Sequence, residues 1–283
     1  NMLMEQTKNK INAVLALDSI ERREHPKAVN DLENKIQSTS LDSVIEEVSY
    51  VWFNRFCAIR YLDVKDYLPV RIISPIDGQS QPNVLAEAKA GDFCEEIFDS
   101  EKEKSDVTAL LLGTKNSRDP QGEAYSILLN NAIKYLTKIF PYLFSDPEDF
   151  YGILKPTNLL SKHSVMSEIC EVMSKDACAD IEIIGWLYQY YISEKKDDVF
   201  NAVKEKKQKI SKENIPAVTQ LFTPHWIVKY IVENSLGRLW MLNHPESTLA
   251  SQMEYYIKPN ENESDFLKIS NPEEIKICDP ACG

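Results

Sequence analysis

Two short stretches hold residue types that could grip a small ligand. They are "QLFTPHWIVKYIV", 220 to 232, and "EIKICDPACG", 274 to 283. In the second, Ile275 and Ile277 alternate with Lys276 and Cys278, the pattern of a short strand. Asp279, Pro280, Ala281, Cys282 and Gly283 follow it. An acid and small residues at the carboxyl end of an α/β strand occupy the usual ligand crevice of such folds. Gly283 permits a close backbone approach, and a helix starting there would turn its N-terminus toward the ligand, as in a nucleotide-binding loop. The plainer reading of Asp279 is a carboxylate that caps the next turn. In the first stretch, Thr223 and Pro224 predict a helix start, with the threonine oxygen capping and proline in the first position. Apolar residues at 227, 228, 231, 232, 236 and 239 predict a buried face for that helix. Each motif alone is weak.

Other candidate chemistry fades when spacing is considered. The six cysteines, at 57, 94, 170, 178, 278 and 282, form no Cys-x-x-Cys pair and have no histidine at ligand spacing. They read as free thiols, with no metal site and no disulfide framework. Asp77 with Glu87-Ala88-Lys89 spells a magnesium-nuclease pattern. Yet "NVLAEAKAGDFCEEIF" reads as helix, where those carboxylates would not converge. His225, beside Thr-Pro, could touch a ligand, but a place at the helix end is the plainer reading. Trp186, Tyr188, Tyr190 and Tyr191 cover most of a helix circumference. That spacing predicts a helix buried between others more readily than a platform for stacking bases.

The elements that must position these residues are mostly helical. The 283 residues are 43% apolar, enough for a sizeable core, and the eight glycines are fewer than a sheet-and-turn fold uses. "LDSVIEEVSYVWFNRFCAIRYL" from Leu41 has its apolar residues three and four apart, and long helices are also predicted after Gly122 and through 180–208. "PVRIISPIDGQSQPN" reads as a short strand plus loop. Between Lys195 and Lys212 seven lysines face three acids, against a formal net charge of −12 for the chain. The strip marks a domain boundary, with a solvated helix end the plainer reading and DNA phosphate contact the sharper one. A chain this acidic is no free-standing, non-specific DNA binder. It shows no signal peptide and no run of 18 apolar residues, so a cytoplasmic location is expected.

Taken together, the two motifs say more. "QLFTPHWIVKYIV" followed by "ICDPACG" resembles the adenine-N6 DNA methyltransferases, in which an (F/Y)TP motif precedes a first strand ending in DPACGSG. Residues 52–69 and 181–200, and the segment through Trp240, are similar to the helical N-terminal region of the methyltransferases of BREX phage-defence systems. They are similar also to single-chain type II restriction-modification enzymes. The resemblance implies a mainly α fold. A helical N-terminal domain, 1–210, would precede the first helix and first strand of a Rossmann-like α/β domain, 211–283, truncated within its cofactor loop. It implies S-adenosylmethionine as cofactor, with Phe222 and Thr223 lining its methionine end. Asp279 would sit near its amino group, while Pro280, Ala281 and Gly283 shape the loop. A sulfonium ligand with a zwitterionic tail suits one carboxylate and a tight turn. It also implies double-stranded DNA as the partner of the parent enzyme, no metal and no membrane. The family's (N/D)PP(Y/F) loop, whose aromatic stacks on a flipped adenine, does not occur in these 283 residues. No catalytic residue is therefore expected in this piece, and its cofactor binding should be weak or absent. The alternative is a helical module that docks the enzyme onto other defence proteins.

Overall fold

The computed structural model describes residues 2–76, 78–206, 209–219, 223–259 and 263–278. The chain divides into two compact units, 1–184 and 185–283. The mainly α expectation holds, and no strand occurs among the described residues. No described helix is long and apolar enough to cross a membrane.

In the first unit α1 (Met2–Leu15), α2 (Ile20–Glu24) and α3 (Pro26–Ser38) lead to the long α4, Leu41–Val64. Ser40 starts α4 by accepting the Ser43 N–H at 3.1 Å, which satisfies one of the free donors of its first turn. The predicted stripe then forms its buried face, with Val44, Val48, Trp52, Phe56 and Ile59 all in the core. Helices α1 and α3 pack on it, as does α9 (Val165–Val172). Most polar groups buried in this core find partners, although Arg55 Nη1 is left without one among the described residues. The Ser49 hydroxyl donates to Thr7 Oγ1 at 3.0 Å and so joins α4 to α1. Trp52 Nε1 donates to the Tyr151 carbonyl at 2.9 Å. Arg55, fully buried, reaches Ser145 Oγ and the Leu143 carbonyl and lies against the Trp52 ring. Desolvation lowers the pKa of its guanidinium below the ordinary value.

The helix expected over 83–98 forms only in its first half, as α5, Asn83–Ala90, which the left-handed Gly91 (φ 81°) ends; α6 covers Glu101–Leu111. Helix α7, Pro120–Ile139, begins one turn earlier than the apolar pattern required and packs along α6. Asp119 caps it by accepting the Gly122 N–H at 3.0 Å. A side chain at 122 would collide with that carboxylate, so glycine there makes room for the cap. Gly152, in the short α8 (Phe150–Ile153), is tighter still, because a Cβ would run into the Pro147 backbone carbonyl. Gly152→Ala should therefore cost about 2 kcal/mol, in the range of overpacked cores, read from the urea midpoint of the first unit.

The strand expected near Val70 does not form. Residues 71–76 are irregular, and the N–H groups of three of them go to a side chain. Asp63, fully buried at the end of α4, accepts the N–H groups of Ile72, Ile73 and Ser74, each at 2.9 Å. A single carboxylate thus replaces a ladder. Val70, Ile72 and Ile73 are all buried, not alternately so. Desolvation raises the pKa of the Asp63 carboxyl, with the three N–H groups and Ser74 acting against the shift.

Helix α10, Glu182–Lys206, is the third helix predicted. The expectation of a buried aromatic helix fails at Trp186, which is 56% exposed. The side chains of Tyr188, Tyr190 and Tyr191 lie outside the described residues.

Candidate cofactor-loop segments

In the second unit α11 (Ile215–Thr219) precedes α12, His225–Val232. The start of α12 lies one residue later than Thr-Pro predicted. Pro224 occupies the cap position with an extended ψ of 138°, and no side chain caps the helix. Thr223 therefore stands outside the helix, exposed, with its hydroxyl unbonded to the described residues. The buried face expected of α12 does not form among the described residues. Trp226 is 58% exposed and Ile231 56%, and Val228, Tyr230 and Val232 are exposed beside them.

A π-helical turn, Glu233–Gly237, carries α12 into α13, Arg238–Asn243. Three polar side chains on this helical run hold the irregular chain that follows. Glu233, buried, accepts the N–H groups of Glu254 and Tyr255. Asn234 donates through Nδ2 to the Tyr230 and Tyr255 carbonyls and accepts the Ile257 N–H at 2.8 Å. Asn243 repeats the device, donating to the Leu239 and Leu267 carbonyls and accepting the Ile269 N–H at 3.1 Å. Met253 packs at Gly237, where its sulfur stands 2.6 Å from where a Cβ would be. The sequence reading did not single out these residues. Their one signal was an acid and two asparagines interrupting an apolar helix.

Residues 275–278 are described, and the expected strand is not formed there. Ile275 is extended, at φ −74° and ψ 122°, but the segment has no ladder partner among the described residues. Ile277 is 72% exposed, and Cys278 is exposed too. A strand is completed by a neighbour's N–H and C=O groups, and extended residues without one remain coil. Of the six site residues inferred from the sequence, Thr223 alone is described. Phe222, Asp279, Pro280, Ala281 and Gly283 lie outside the described residues, so no geometry joins the two motifs.

No family model matches the chain. It is 35% identical over 277 residues to the adenine-specific methyltransferase BrxX of Escherichia coli O9:H4 (strain HS), which covers 94% of this chain and 21% of that protein. It is 36% identical over 265 residues to the adenine-specific methyltransferase PglX of Lacticaseibacillus casei (strain Zhang), covering 87% and 21%. The chain thus spans about a fifth of the length of the curated relatives it matches. The resemblance to adenine-specific methyltransferases read from the sequence is borne out to that extent: along nearly its whole length, this chain is similar to them.

Proposed function

We propose that the chain is part of a site-specific DNA adenine-N6 methyltransferase of phage defence or restriction-modification, acting in the cytoplasm on double-stranded DNA. The observation that carries this reading is the 35% identity, along 94% of the chain, to a protein named as an adenine-specific methyltransferase. In this reading residues 1–210 form the helical domain and 211–283 open a Rossmann-like domain. The exposed apolar face of α12 and the Ile275–Cys278 segment, without a ladder partner among the described residues, support it, since a sheet laid against both would supply cover for one and ladder partners for the other.

S-adenosylmethionine, when bound, would supply an electrophilic methyl group for in-line transfer to the amino nitrogen of a flipped adenine. Phe222 and Thr223 would line the methionine end, and the exposed Thr223 hydroxyl fits that role. Asp279 would hold the ligand's ammonium group, while Pro280, Ala281 and Gly283 keep the backbone close beneath it. No residue of these 283 is assigned to deprotonating or orienting the adenine, because the (N/D)PP(Y/F) loop does not occur among them.

Radiolabelled methyl transfer to DNA tests the reading. The longer protein that the reading implies should methylate adenine. Asp279→Ala in it should lower the rate by roughly 10- to 100-fold, the worth of one charged hydrogen bond. The 283-residue chain alone should transfer nothing and give little or no heat with S-adenosylmethionine in calorimetry. Full activity of the Asp279→Ala protein would overturn the site assignment.

A second reading has its own support. Almost all of the net −12 falls on residues 1–184, a charge that repels DNA and suits docking onto other defence proteins. Co-purification with those proteins, lost when 1–184 is removed, is the expected result.

A further inference from the structure

Within the first unit a cavity of about 800 Å³ opens between α1, α2, the first half of α7 and the loop 155–161. Its volume lies in the range of small-ligand sites, roughly 300–1,000 Å³. Lys155 stands on its wall. The ammonium donates to Asn130 Oδ1 and Ser126 Oγ, both at 2.6 Å, and to the Ser126 carbonyl at 3.1 Å. All three acceptors are neutral. Among the described residues Lys155 makes no ion pair, and the charge that acts on it is a second cation, Lys10. Lys10 is itself matched by Glu21 at 2.6 Å. One positive charge is therefore left over on this side of the cavity. An ammonium withdrawn from water is ordinarily paired, since neutral acceptors repay only part of its lost hydration.

The other walls restrict what could bring the opposite charge. Glu24, Asp119 and Glu123 also line the cavity, and Asp119 is committed to capping α7. Carboxylates around a single cation oppose a polyanion such as a nucleic-acid backbone. They tolerate a small molecule with one anionic group and a polar or cationic remainder. Two further donors lie beside Lys155: the Ser126 hydroxyl and Asn130 Nδ2, which has no partner among the described residues.

We propose that this cavity binds a small molecule by its carboxylate or phosphate group, held by Lys155 with the Ser126 hydroxyl and the Asn130 side-chain amide. The site is separate from the methyl-transfer motifs, and it stands or falls independently of them.

Thermal unfolding of the 283-residue chain at pH 6 tests it, with 20 mM acetate or 20 mM phosphate compared with chloride at equal ionic strength. A millimolar site should raise the midpoint of the first unit by about 3–6 °C. A rise with phosphate alone identifies a phosphate monoester, a rise with acetate alone a carboxylate, and a rise with both the shared anion chemistry. Two variants assign the effect to Lys155. Lys155→Met removes the charge at similar length, and Asn130→Asp supplies an internal counter-ion beside it. Both relieve an unpaired buried charge and should fold. His25 also lines the cavity, and these variants leave it in place. Loss of the anion-induced rise in both is expected. No rise in the wild-type chain, or a rise that persists in either variant, overturns the proposal.

Discussion

Asp63→Ala should cost the first unit about 3 kcal/mol or more, enough to remove a large part of the stability of an ordinary domain. The size follows from what the carboxylate holds. Three consecutive backbone N–H groups, on Ile72, Ile73 and Ser74, have Asp63 as their acceptor, and the residues that carry them are buried. Each donor stranded without a partner costs roughly 1–3 kcal/mol, less where water can enter. The loop also connects outward. Tyr125 on α7 donates to the Ile72 carbonyl at 3.1 Å, and Arg60 donates to Ser74 Oγ at 2.7 Å. Release of the Asp63 clamp would therefore loosen α7 and the α9 end as well. Asp63→Asn keeps one acceptor oxygen and should lose about half as much. Urea unfolding of both variants, followed by circular dichroism, gives the comparison. An alanine variant within 1 kcal/mol of the parent would show that the clamp is not what holds the loop.

The second large effect is a pH dependence set by Lys155. Burial pushes its ammonium down to about 7, from 10.5 for the ordinary side chain. The folded pKa lies below the unfolded one, so between about pH 7 and 10 the unfolded chain keeps a proton that the folded chain has released. Stability contributed by this group therefore rises with pH across that window and is flat on either side. At pH 6 both states are charged, and the burial penalty is carried in full. Three hydrogen bonds to the ammonium and partial exposure of the residue limit its size, so a change on the order of 3 kcal/mol is expected. Lys155→Met should abolish that slope and be the more stable protein at pH 6. The measurement is the unfolding free energy of both chains from pH 6 to 10, taken as a difference so that other titrations cancel. Parallel profiles would refute it.

The helical skeleton was legible from the sequence because its cause is local. The stripe from Val44 to Ile59 has the helical period, and Ser40 and Asp119 are polar caps just ahead of apolar runs. What was not legible depends on partners far along the chain. "VRII" has the composition of a strand, but Asp63 took its donors, and nothing in a list of residue types says which carboxylate will be buried. The helix His225–Val232 was correctly expected, while its cover was not, because amphipathicity shows that a face is apolar and not what lies against it. The strand at 275–278 failed for the same reason. Lys155 gave no signal at all: a lone lysine before Pro156 becomes unusual only when α1 and α7 fold around it. The methyltransferase motifs were legible by resemblance, through side chains that lie mostly outside the described residues.

The asparagine clamps of the second unit have a consequence for how such chains can diverge. Asn234 and Asn243 grip backbone atoms of Tyr255, Ile257, Leu267 and Ile269 and no side chain among them. Backbone groups are the same whatever residue bears them. The gripped segments are thus free to drift in sequence, barred mainly from proline at 257 and 269, where the donated N–H would vanish. The two asparagines have no such freedom, since aspartate loses both donated bonds and leucine all three. In an alignment of distant relatives, two fixed amides nine residues apart, followed by variable chain, would mark this arrangement where overall identity no longer did.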